Sequence, residues 1–152
     1  MSDDWIRIVP SEPSFVPSGV SARALIALVS RMMPSAEEVT VETSDEVAFV
    51  DAGANQGPAL CPRCGSELDH EPWAAAMTES YEASAFKDRR VVLPCCSAAC
   101  DLNDLDYGDW PVAFARWWVD CMNPNLGRLA DEQVRGLAAA LGHTVTIVYQ
   151  HI

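Results

Sequence analysis

The stretch DWPVAFARWWVDCMNPN, Asp109–Asn125, decides how the rest of the chain is to be arranged. Pro111 stands where a helix opens and Pro124 where one ends, since proline fits a first helical turn and breaks an interior. Between them Phe114, Trp117, Trp118, Cys121 and Met122 fall on one broad helical face. We read the stretch as a helix whose aromatic face packs onto a sheet. The strands of that sheet must then come from the two flanks of the chain.

On the N-terminal side, WIRIVP (Trp5–Pro10) reads as a short strand ended by proline, followed by the proline-punctuated loop SEPSFVPSG. From Val20 to Met33 the apolar residues Leu25, Leu28, Val29 and Met32 recur at helical spacing, with Ser18 or Ser21 as cap and Pro34 as stop. EVTVET and EVAFVDAG alternate Val39, Val41 and Val47, Phe49, and Ser44 and Asp45 lie between them. This predicts two strands joined by a tight turn. On the C-terminal side, ADEQVRGLAAALG predicts a helix stopped by Gly142, and HTVTIVYQHI a closing strand. The resulting order is that of a split βαβ unit, so the expected class is α+β with a ferredoxin-like βαββ(insert)αβ sheet. The chain is then one domain, 1–152, with residues 59–127 inserted between the third strand and the second helix. Within the insertion, EPWAAAMTESYEASAF predicts a helix opened by Pro72, with Trp73, Met77 and Tyr81 on one face. RRVVLP predicts a short strand that delivers the chain to Cys95.

The net charge of −12, from 10 basic and 22 acidic residues, opposes binding to nucleic acid or to an anionic membrane surface. A protein partner, basic or tolerant of an acidic face, is the expected class. No apolar run approaches the roughly 20 residues that span a bilayer, and MSDDWIRIVP does not read as a secretory signal. The expected location is cytoplasmic, where cysteines are reduced or bind metal rather than forming disulfides.

Five of the six cysteines lie in the central segment, and Cys121 sits in the apolar stretch as a packing residue. CPRCG, Cys61–Gly65, is the most specific motif. Two thiolates three residues apart can meet one ion from a tight turn that Pro62 shapes and Gly65 completes at positive φ. Zinc, redox-silent and tetrahedral with thiolates, is the natural ion. A redox Cys-x-x-Cys would sit at a strand-to-helix junction, whereas SELDHEP follows here and the predicted helix waits for Pro72. The second ligand pair has to come from Cys95, Cys96 and Cys100 in LPCCSAAC. Spacing leaves the choice open, because no two of them have the two-residue gap.

CPRCG, VVLPCC, LNDLDY and WPVAFARWWVDCMNPN together resemble an uncharacterised group of bacterial zinc-ribbon-like proteins. The likeness spans most of the chain and is densest from Cys61 to Asn125. It implies a zinc-ribbon-like insertion with Cys61, Cys64, Cys95 and Cys96 as the ligands. Cys100 is outside the pattern and would be a spare thiol or a substitute ligand in place of Cys95 or Cys96. Ser97 stands where the group has glycine after the double cysteine, and Val112–Ala113 also depart from it.

His70 reads as a solvent-facing loop residue, and His143 and His151 as surface or strand residues. Asp101, Asp104, Asp106 and Asp109 crowd behind the second motif, and we read them as a solvated turn in which Asn103 or Asp104 caps local backbone. A site closed by four thiolates leaves no open position for substrate, so the zinc would be structural. The expected function is a non-enzymatic, zinc-stapled protein-interaction module of adaptor or immunity type. The alternative is a thiol- or metal-dependent enzyme using the cysteine cluster.

Overall fold

The structure, a computed structural model, describes residues 2–152. Its elements are β1 (Asp4–Pro10), α1 (Gly19–Met32), β2 (Glu38–Val50), β3 (Ala59–Leu60), β4 (Glu67–Leu68) and α2 (His70–Ser84). They continue with β5 (Arg90–Val92), β6 (Ala99–Asp101), β7 (Ala113–Met122), α3 (Asp131–Leu141) and β8 (Val145–His151). The protein is mixed α+β: a four-stranded antiparallel sheet in the order β2-β7-β1-β8, three helices and two small hairpins, β3-β4 and β5-β6. No helix among the described residues is long and apolar enough to cross a membrane.

Asp109–Asn125 is where the structure overturns the expected helix. Its body is β7, which lies between β2 and β1 in the sheet. Such a strand is covered on both faces, so apolar residues fill both, and the two-residue alternation that betrays a half-buried strand disappears. Trp117, Val119 and Cys121 face one core, while Phe114 and Trp118 face the other. Large aromatic and β-branched side chains suit this pleated surface better than a crowded helix. The polar residue Asp120 is buried in the strand and is met from its register partner by Arg7, with Nε to Oδ1 at 2.9 Å.

The predicted hairpin at Ser44–Asp45 is likewise one continuous strand. β2 pairs with β7 from Glu38↔Met122 to Thr43↔Trp117 and resumes at Ala48↔Ala115, so the turn-forming residues are absorbed in an irregularity of the ladder. These two corrections move the sheet's third strand to the far side of the insertion. The segment between the second and third sheet strands is 51–112, not 59–127, and its closing residues 113–122 belong to the sheet.

The helices follow the chemistry that predicted them. The Ser18 side chain accepts from the Ser21 amide at the start of α1, and α3 ends at Gly142 with φ 75. α1 buries Leu25 and Val29, α3 buries Leu137 and Leu141, and both pack against Ile6, Ile8 and Val119 on one face of the sheet. On the opposite face Met77, Phe86, Leu93 and Leu102 of the insertion join Val9, Val50 and Phe114 in a second core. The residues expected on one face of α2 part company: Met77 is buried, but Tyr81 points out at 57% exposure. Ser80 is buried instead, and its hydroxyl donates to the Asp88 carbonyl at 2.7 Å.

Candidate metal centre

Each small hairpin presents a tight turn, and the two turns have the same backbone plan. In the first, the Gly65 amide donates to the Cys61 carbonyl and the Cys61 amide to the Ser66 carbonyl, both at 2.9 Å. In the second, Ser97 donates to Leu93 and Leu93 to Ala98, again at 2.9 Å. Superposing these bonds aligns Cys61 with Leu93, Pro62 with Pro94, Cys64 with Cys96, and Gly65 with Ser97. Gly65 has φ 75 and Ser97 has φ 58, so both turns close through a left-handed residue. The second turn thus carries leucine where the first carries its leading cysteine. Leu93, 1% exposed, is spent on the core, and Cys95 supplies the sulfur from the position that Arg63 occupies in the first turn. The hairpins are held in place by backbone bonds beyond themselves: Leu60 pairs with Asp106, and the Leu102 amide donates to the Arg89 carbonyl at 2.9 Å.

The Sγ atoms of Cys61, Cys64, Cys95 and Cys96 all lie within 4.8 Å of one another. Cys61–Cys96 is 3.7 Å, Cys64–Cys95 is 3.4 Å and Cys95–Cys96 is 3.8 Å. Four thiolates around one ion with metal–sulfur bonds of about 2.3 Å form a tetrahedron whose edges are about 3.8 Å, so the donor set fits a tetrahedral thiophilic ion. The adjacent cysteines converge because the chain turns between Pro94 and Ser97 rather than running as a straight strand.

The turns also tune the thiols. The amides of Arg63 and Cys64 both donate to Cys61 Sγ at 3.4 Å, and these bonds, that of Cys64 first, lower the Cys61 pKa. Hydrogen bonding from Ser66, whose Oγ is 3.3 Å from Cys64 Sγ, brings Cys64 down to about 6. Cys95 goes the other way, pushed up to about 12 by desolvation and then by the neighbouring sulfurs.

Cys100 lies on β6, packs partly buried against the insertion core, and is not one of the clustered sulfurs. Desolvation raises its pKa. Cys121 is fully buried in β7, and its thiol is pushed up to about 12, first by burial. His70 is the exposed first residue of α2, with its ring 5.9 Å from that of Trp73. His143 stacks near Phe15, and His151 meets Asp4 at 2.7 Å. Of the four aspartates behind the second hairpin, two cap backbone, and they are not the expected Asn103 or Asp104: Asp101 accepts from the Asn103 amide and Asp106 from the Gly108 amide, each at 2.8 Å. Asp101 also pairs with Arg89 at 3.0 Å, and Arg90 pairs with Asp88 at 3.1 Å, so both of these arginines already have carboxylate partners.

Ser66 and Leu93 shape the centre although the sequence reading did not mark them, and Ser97, marked only as a departure from glycine, closes the second turn. The signal was available in laying LPCCSA over CPRCGS, which equates these positions directly. No protein-family model matches the chain, and neither does any curated protein or solved structure.

Proposed function

We propose that this chain is a non-enzymatic cytoplasmic protein in which Cys61, Cys64, Cys95 and Cys96 hold a structural Zn²⁺, and that it serves as an interaction module for another protein. The observation carrying this reading is the convergence of the four sulfurs, from two turns of identical backbone plan, at the spacing a tetrahedral thiolate site needs. A bound ion would cross-link the two hairpins, as a metal staple does in small domains lacking a large local core. We read the sheet as ferredoxin-like: the order β2-β7-β1-β8 supports this, with the zinc-ribbon-like segment inserted before the third sheet strand. We place the chain with the bacterial zinc-ribbon-like proteins that its motifs resemble. An adaptor or immunity role is the function class we assign, with a partner that tolerates or complements a net charge of −12.

Metal analysis tests the centre. Freshly purified protein should carry about one zinc per chain, and Co²⁺ in its place should give the absorption bands of a tetrahedral thiolate site. Cys→Ser at each of the four positions should abolish stoichiometric binding, while Cys100→Ser and Cys121→Ser should leave it intact. Protein without zinc, or zinc lost only with Cys100→Ser and not with Cys96→Ser, refutes the assignment.

A further inference from the structure

Beside the first hairpin, between the end of β2 and the start of α2, the surface opens into a groove of about 670 Å³. Its inner wall is aromatic and apolar: the half-buried rings of Phe49 and Trp73 meet edge to face at 6.0 Å, and Leu68 is buried beneath them. The Trp73 indole is fixed by donating to the Tyr107 hydroxyl at 3.1 Å. The rim carries the carboxylates of Asp51, Glu67 and Asp69 beside the imidazole of His70, and no lysine or arginine lines the groove. Asp51 is already engaged by Arg7 and Gln150. Glu67 and Asp69 are exposed, and the ion pairs among the described residues lie elsewhere; Asp69 is the N-cap residue of α2, but its carboxylate makes no capping hydrogen bond.

We propose that this groove receives an arginine or lysine side chain from a basic segment of a partner protein. Aromatic faces attract a cation through their quadrupoles, and unpaired carboxylates at the mouth supply charge-assisted hydrogen bonds to its N–H groups. The apolar wall takes the methylene stem, which favours a side chain over a free metal cation. The net charge of −12 brings such a segment to the surface, and the groove gives its cation a place to dock. The inference rests on the protein-interaction reading and names the surface and partner chemistry for it.

The test titrates the 152-residue chain, as isolated with any metal it carries, with acetylated and amidated tetra-arginine, followed by NMR. Tetra-lysine and tetra-glutamate serve as comparators. Saturable shifts should appear in the Trp73 indole N–H and in the amides of residues 67–70, with tetra-glutamate inert. Glu67→Gln/Asp69→Asn should weaken binding by about fivefold or more. Glu79→Gln/Glu82→Gln removes the same charge from exposed positions on α2 and should change it by less than about twofold. Equal weakening by both variants, or shifts spread over the acidic surface, overturns the groove. Cross-linking capture from the source cells separates the two ideas. A partner retained by Glu67→Gln/Asp69→Asn refutes the groove and keeps the interaction reading, whereas a chain that binds the peptide but captures no protein fails that reading alone.

Discussion

A serine at φ 58 carries its Cβ into a backbone region that costs an L-residue roughly 1–2 kcal/mol. Ser97 holds that conformation because its amide must close the turn that brings Cys95 and Cys96 to the other sulfurs, and its hydroxyl has no hydrogen-bond partner among the described residues. Ser97→Gly should therefore stabilise the protein by about 0.5–1 kcal/mol, the strain relieved less the extra entropy of an unfolded glycine. Urea denaturation measures this, and a loss on substitution would show that the Ser97 side chain has a use. The thiols make a second prediction at this scale. Cys95, pushed up to about 12, keeps its proton through the neutral range, so an incoming ion must displace it. Cys64, brought down to about 6, offers a thiolate above that pH and takes up a proton below it. Zinc affinity should then rise about tenfold per pH unit above 6 from the Cys95 proton alone, and more steeply below 6. Chelator competition at a series of pH values reads the slope, and a flat profile contradicts it. At this scale the cysteines were legible because thiol spacing advertises itself. The phase of the second turn was hidden by two substitutions, leucine in the place of the leading cysteine and serine in the place of glycine.

Phe114 shows what β7 does as an element. It is fully buried near the start of β7, and its ring meets Phe49 at 5.3 Å on β2 and Phe86 at 5.2 Å in the insertion. The strand thus joins the sheet to the segment that carries the sulfurs. Phe114→Ala should cost roughly 3–5 kcal/mol, the range for removing a buried aromatic ring and leaving a cavity. A fall in the urea midpoint at constant m-value reports it, and a loss under about 1 kcal/mol would mean that the insertion does not rest on the sheet through this ring. The same position explains why β7 reads as a helix in the sequence. A strand apolar on both faces has no alternation to show, Trp117 and Trp118 side by side fit a broad helical face, and Pro111 and Pro124 mimic helix ends. Helices α1 and α3 were legible because each has one wet face, so 3.6-residue periodicity survives. β2 was read as two strands because Ser44 and Asp45 carry turn chemistry that the fold uses for a ladder irregularity.

The whole molecule is a sheet with two unlike cores, and they should respond differently to the ion. One core is made by α1 and α3 with Ile6, Ile8 and Val119, all well away in sequence from the clustered sulfurs. The other includes Cys61 itself, with Leu68, Met77, Leu93 and Leu102 from the insertion, against Val9, Val50 and Phe114. The hairpins inside it are short, with two or three residues per strand, and such hairpins are marginal without a cross-link. Stripping the metal with a strong chelator should therefore loosen the second core first. In hydrogen exchange, amides of β3 to β6 and of α2 should lose protection by tenfold or more. Those of Leu25 and Val29 in α1, and of Leu137 and Leu141 in α3, should keep theirs until global unfolding. Uniform loss across both cores would mean that the sheet couples them into one cooperative unit, and unchanged protection in the hairpins would mean that the sulfurs hold no structural ion. The outcome also fixes what a partner meets, because Glu67, Asp69 and Trp73 sit on the half that the metal would hold in shape.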